Sequence, residues 1–125
     1  MKFNSQICTS REQSERLLAL GLKKETADMG WVLLDNGEYV LGIGESCYLD
    51  IPAWSLHRLI EMMPKNIAID GDTAYPLQIQ KRSDGKWCVG YQGWYDCVGD
   101  LYDSVIWIYQ LLISEDYLDE FCNKG

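Results

Sequence analysis

The segment Ile51-Pro-Ala-Trp-Ser-Leu-His-Arg-Leu-Ile-Glu-Met-Met-Pro64 constrains this chain most, because it writes a short helix together with its start and stop signals. Ser55 is placed to accept from backbone N–H groups at the helix start, Trp54 before it to staple onto Leu59, and Pro64 to end the hydrogen-bond ladder. Between them Leu56, Leu59, Ile60 and Met63 follow the i, i+3, i+4, i+7 spacing of one buried face. His57 falls beside Arg58 and Glu61, away from that face. The segment specifies packing and carries no chemistry.

Other stretches carry signals of the same kind. Thr9-Ser-Arg-Glu12 matches a capping box, with Thr9 reaching the N3 backbone N–H and Glu12 reaching back. The helix that follows is predicted to end near Gly21, with Leu22 touching Leu17 in a Schellman-type stop and Leu17, Leu18 and Leu22 as its apolar side. The period then changes. Trp31–Leu34 and Glu38–Ile43 flank Asp35-Asn-Gly37, whose Asn-Gly supplies the positive φ of a tight hairpin turn. A loop of two or three residues fits equally, since the first strand is apolar on both faces.

A second hairpin is better specified. Leu77 and Ile79 on one strand and Trp87, Val89 and Tyr91 on the other share a face only if the loop is Ser83-Asp84-Gly85, with Ile79 opposite Val89, Leu77 opposite Tyr91 and Gly85 in a left-handed bulge position. Asn66–Asp70 reads as one further short strand. Asp100 caps a helix through Ile113, apolar on most of its circumference, with Asp103, Trp107, Gln110 and Ser114 on its polar stripe. Ser114–Cys122 reads as a final acidic helix with Leu118 and Phe121 inward. The predicted fold is α+β, order α-ββ-α-ββ-α-α: an antiparallel sheet of two hairpins with helices packed on one face, in a single domain over 1–125.

Size and charge narrow the function. With 125 residues, 47% hydrophobic and 24% charged, one core is enough. The N-terminus lacks the apolar run of a secretory signal, and no stretch approaches the ~20 apolar residues of a membrane span, so a soluble cytoplasmic protein is expected. Five scattered cysteines, an odd number, fit reduced thiols better than a disulfide framework. A net charge of −8 argues against direct nucleic-acid binding. From Asp96 onward seven acids stand against Lys124 alone, a surface suited to a basic protein partner.

Three stretches together resemble an uncharacterised family of small proteins from gut Bacteroidales chromosomes, prophages and other mobile elements. They are Cys8-Thr-Ser-Arg-Glu-Gln-Ser14 with Leu20-Gly21 and Thr26-Ala-Asp-Met29; Ile51-Pro-Ala-Trp-Ser-Leu56 with Leu59 and Met63-Pro64; and Leu101-Tyr-Asp-Ser-Val-Ile-Trp107. The resemblance implies a mobile-element setting and transfers no functional residue.

Catalytic patterns are missing from the sequence. The lone histidine, His57, has no cysteine nucleophile beside it, and neither C-x-x-C nor H-x-x-x-H occurs. Asp70-Gly-Asp72 opens like a calcium loop but continues with Thr73 and Ala74, so it reads as a turn. Gly42-Ile-Gly44 lacks the rest of a phosphate loop. No catalytic, cofactor-binding or metal-ligating residue is therefore assigned. The remaining lead is Tyr91-Gln-Gly-Trp-Tyr-Asp96, a ring-rich stretch read as a loop that either closes the core or recognises a partner. A non-enzymatic protein-interaction domain is expected, its surface drawn from Trp94, Tyr95, Trp107, Asp116, Asp119 and Glu120. The alternative is a small enzyme or ligand-binding domain with a pocket near Cys88, Cys97 or His57.

Overall fold

Turn chemistry sets two hairpins in this protein, and it sets them the same way. The computed structural model describes residues 6–43, 50–68, 73–92 and 94–123, with residues 43, 94–96 and 98 described through their backbone. The elements are α1 (Arg11–Ala19), β1 (Met29–Leu33), β2 (Tyr39–Ile43), β3 (Ile51–Ala53), α2 (Leu56–Met62), β4 (Asn66–Ile67), β5 (Tyr75–Pro76), β6 (Gln78–Lys81), β7 (Trp87–Tyr91), β8 (Trp94–Gly99) and α3 (Leu101–Ser114). Short 3-10 turns lie at Lys24–Thr26 and Asp119–Phe121.

Between β1 and β2, Leu34 N–H donates to Glu38 O at 2.7 Å and Gly37 N–H to Leu34 O at 2.9 Å. Between β6 and β7 the same two bonds recur, Arg82 to Lys86 at 2.8 Å and Gly85 to Arg82 at 3.0 Å. Gly37 and Gly85 take φ of 88° and 87°, the left-handed position that closes a three-residue loop. Asn36 Oδ1 and Asp84 Oδ1 each accept, at 3.0 Å, from the N–H two residues on. Ile79 stands opposite Val89 as the longer loop requires. The first hairpin, left open by the sequence, takes that loop too.

The fold is α+β, with antiparallel sheets, but the hairpins do not share one sheet. They lie in separate three-stranded sheets, ordered β2-β1-β3 and β6-β7-β8, beside a two-stranded β4-β5 pair. Each hairpin recruits its third strand from the chain that follows it. Pro52 is tolerated because β3 is an edge strand. Of the stretch read as an aromatic loop, Tyr91 ends β7 and Trp94–Asp96 begin β8, paired Tyr91–Trp94 and Gly90–Tyr95.

The chain divides into two compact units, Met1–Glu61 and Met62–Gly125. In the first, α1 lies against β3, and Cys8, Met29 and Ala53 form a core cluster with Trp31 and Leu41 packed on it. Trp54 and Leu59 are fully buried at the staple positions expected. The cap of α1 is a correction: Ser10, not Thr9, is the N-cap, in a reciprocal box with Gln13, not Glu12. Thr9 is unavailable because it is buried and its hydroxyl is already bonded to Trp54 N and Ser14 Oγ. The Schellman stop is as predicted, with Leu22 N–H on Leu17 O, Gly21 N–H on Leu18 O, and Gly21 at φ 106°.

In the second unit α3 packs on β7 and β8, with Asp100 as N-cap. Tyr102, Val105, Ile106, Ile108, Tyr109 and Leu112 are buried, and Trp107 is half-buried at the helix edge. The final acidic helix predicted for Ser114–Cys122 is replaced by a Schellman stop: Tyr117 N–H bonds Leu112 O, Asp116 N–H bonds Ile113 O, and Asp116 adopts φ 65°. A 3-10 turn then brings Leu118 inside while Phe121 stays half-buried. Of the predicted strand at 66–70 the described part is β4; Asp70-Gly-Asp72 lies outside the described residues, as do Gly44 and Cys47.

Candidate functional site

Residues from the Cys8–Met29 and Ile51–Pro64 stretches meet in one polar network. Trp54 N–H donates to Thr9 Oγ1 at 3.0 Å, Thr9 N–H to Trp54 O at 2.9 Å, and the Trp54 indole to Thr26 Oγ1 at 3.0 Å. Asp28 receives Ser55 twice, from its N–H at 2.8 Å and from its hydroxyl at 2.5 Å. Ser55 Oγ in turn accepts from Arg58 N–H, completing the predicted cap, and Arg58 Nε donates to Thr26 O at 2.8 Å. These residues hold the entry to α2 in place.

Beside this network lies a concave surface of the first unit. Gln6, Ile7, Cys8, Ser10, Trp31 and Leu41 line a groove of about 360 Å³. It continues past Ser10 and Trp31 to Arg11, Gly37, Glu38 and Tyr39. The groove floor is preset: Trp31 Nε1 donates to Thr9 O at 3.1 Å, and the Arg11 guanidinium stacks 4.3 Å from the Tyr39 ring centroid. Ile7, which lines the groove, is 62% exposed, and Leu33, on the Trp31 face of β1, projects into solvent, while Val40 projects from the opposite face of the hairpin. Sequence reasoning passed over this surface, although a strand apolar on both faces was its signal.

The residues nominated from sequence fall elsewhere. Trp94 and Tyr95 are neighbours in β8, and their side chains lie outside the described residues. Asp116 and Glu120 are exposed and Asp119 half-exposed at the end of the second unit.

The thiols and the histidine stand apart. Cys88 and Cys97 form a disulfide between β7 and β8, which corrects the expectation of reduced thiols for this pair. The physical reason is register: strand pairing brings their Cα atoms to 4.1 Å. Cys8 and Cys122 are buried and lie outside this disulfide. Burial, and secondarily the Asp28 carboxylate, pushes the Cys8 thiol up to about 11. At neutral pH it is a thiol and a poor nucleophile. His57 is 87% exposed and 3.7 Å from Glu61. Burial also raises Tyr91 well above an ordinary tyrosine, and its hydroxyl donates to Pro64 O at 2.5 Å.

Among the described residues no group of three or more His, Cys, Asp or Glu could hold a metal ion, and no helix is long and apolar enough to cross a membrane. No family model, curated protein or solved structure matches the chain.

Proposed function

We propose that this is a non-enzymatic protein-interaction domain that binds its partner through the Trp31 groove and the apolar hairpin beside it. The observation that carries this reading is the exposure of Ile7 and Leu33 beside Trp31, Leu41 and the Arg11-on-Tyr39 stack, which the strand register sets on one face of the hairpin. Exposed apolar surface of this kind is a liability unless it is covered, and anchored aromatic and Arg side chains are what interface centres use. Because Trp31 and Tyr39 are already held, little side-chain entropy is lost on binding. The exposed carboxylates of Asp116 and Glu120 favour a partner with basic surface. A cytoplasmic location, a mobile-element setting and no direct nucleic-acid binding belong to the same reading.

The alternative of a pocket near Cys88, Cys97 or His57 has less support, since two of these groups are bonded to each other and the third faces solvent. Affinity capture from the source cells tests the proposal. The wild type retains a partner that crosslinks next to Trp31, whereas Ile7→Asp/Arg11→Glu loses it at an unchanged melting temperature. Undiminished capture by that variant would sink the groove as the binding surface.

A further inference from the structure

Strand β8 is not in regular register with β7. The pairs run Tyr91–Trp94, Gly90–Tyr95 and Val89–Asp96, then jump to Trp87–Gly99. Cys88 therefore stands opposite two residues, Cys97 and Val98, which form a β-bulge. The disulfide lies inside that bulge and selects Cys97 as the member that meets Cys88. Moving the bulge to the turn end of the hairpin would regularise the ladder from Trp87–Gly99 onward. Tyr95 would then pair with Tyr91, Asp96 with Gly90, Cys97 with Val89 and Val98 with Cys88. In that register Cys97 is out of step with Cys88, so the bond and the shifted ladder exclude each other.

The start of β7 and the Gly99 end of β8 are anchored independently of the moving piece. Ser104 Oγ of α3 donates to Trp87 O at 3.0 Å, and Gly99 leads directly into the Asp100 cap of α3. The shift re-pairs residues 94–98 and, being a one-residue step, turns the side chains of 94–97 to the other face of the sheet. We infer that the Cys88–Cys97 disulfide is a redox latch on β8: closed, it pins the bulge at Cys97–Val98 with Trp94 opposite Tyr91; opened by a dithiol, it releases the bulge and brings Tyr95 opposite Tyr91.

The chemistry is thiol–disulfide exchange. Cys97 is half-exposed and Cys88 is 1% exposed, so the incoming thiolate attacks Cys97 Sγ. The new sulfur–sulfur bond forms as the Cys88–Cys97 bond breaks, and Cys88 leaves with the electron pair and takes up a proton. The second thiolate of the reagent then attacks its own sulfur in the mixed disulfide and expels Cys97, which is protonated in turn. The cystine is reduced to two thiols and the dithiol is oxidised to its disulfide. The inference does not depend on the binding reading above.

The test compares the protein oxidised with glutathione disulfide and reduced with dithiothreitol, the state of each sample being fixed by alkylation and mass. Nuclear Overhauser contacts across the hairpin are expected between Tyr91 and Trp94 in the oxidised protein and between Tyr91 and Tyr95 in the reduced one. Amide exchange of residues 94–98 should accelerate at least ten-fold on reduction, well beyond any change in α3, which packs on β8. The Cys88→Ala/Cys97→Ala double variant should match the reduced protein and ignore dithiothreitol. An unchanged register after reduction overturns the latch. So does acceleration of the whole 62–125 unit together, which would make the bond a plain staple, or failure of the pair to oxidise.

Discussion

The indole N–H of Trp54 donates to the hydroxyl of Thr26 at 3.0 Å, both side chains being buried. Thr26 passes its own proton to Lys23 O at 2.6 Å, so the hydroxyl is used twice. Replacing it by a methyl leaves the buried indole donor without a partner, which costs about 1–3 kcal/mol. Thr26→Val should lower stability by that amount in urea unfolding, and Thr26→Ser, which restores the hydroxyl, should recover most of it. Equal losses for both variants would mean that packing, not the hydrogen bond, holds Trp54.

The two Schellman stops make a matched pair. Gly21 and Asp116 occupy the same left-handed position after α1 and α3, but only glycine does so without crowding its Cβ. Asp116→Gly should raise stability by about 1 kcal/mol, and Gly21→Ala should lower it by about 1 kcal/mol, each read from a thermal melt followed by circular dichroism.

A Cβ built on Gly37 or Gly85 meets nothing within 4 Å. Alanine at either position therefore tests the backbone alone. Each substitution should cost about 1 kcal/mol, while Gly→Asn, tolerated in the left-handed region, should cost clearly less. Equal costs for alanine and asparagine would argue against the left-handed loop geometry.

Cys8 couples stability to alkaline pH. Its folded pKa of about 11 lies above the ordinary value of 9.0, so the unfolded chain loses the proton first as pH rises. The stability linked to this thiol is complete below about pH 9 and is lost between there and pH 11. Relative to Cys8→Ala, the wild type should lose about 2 kcal/mol over that interval, measured by urea unfolding at several pH values. Parallel pH profiles for the two proteins would count against the shift.

Ser55 both caps α2 and anchors to Asp28. Ser55→Ala should cost about 1–2 kcal/mol, above the loss of a solvent-exposed cap, because Asp28 also loses a partner. In a double-mutant cycle with Asp28→Ala, the two substitutions should fall well short of additive; additivity would separate the cap from the anchor.

Much of the architecture was legible because its causes are local. The Ser55 cap, the Pro64 stop, the Gly21 stop and the Ser83-Asp84-Gly85 loop each depend on residues within a few positions of one another. The Thr9/Ser10 misassignment shows where that ends. Either residue satisfies the capping pattern, and only Trp54, 45 residues away, decides by claiming the Thr9 hydroxyl. Strand β8 was misread for a similar reason, since glycine beside aromatics resembles a loop until β7 supplies a ladder.

By itself, then, the order of residues determined where helices begin and stop and how the two hairpins turn, because backbone sterics and short-range hydrogen bonds act over one turn of chain. The tertiary structure alone decided that the hairpins enter separate sheets, that Cys88 meets Cys97 across a bulge, and that Trp31, Arg11 and Tyr39 line one groove. Those outcomes depend on which distant surfaces exclude water from each other, and burial of that kind leaves no local mark along the chain.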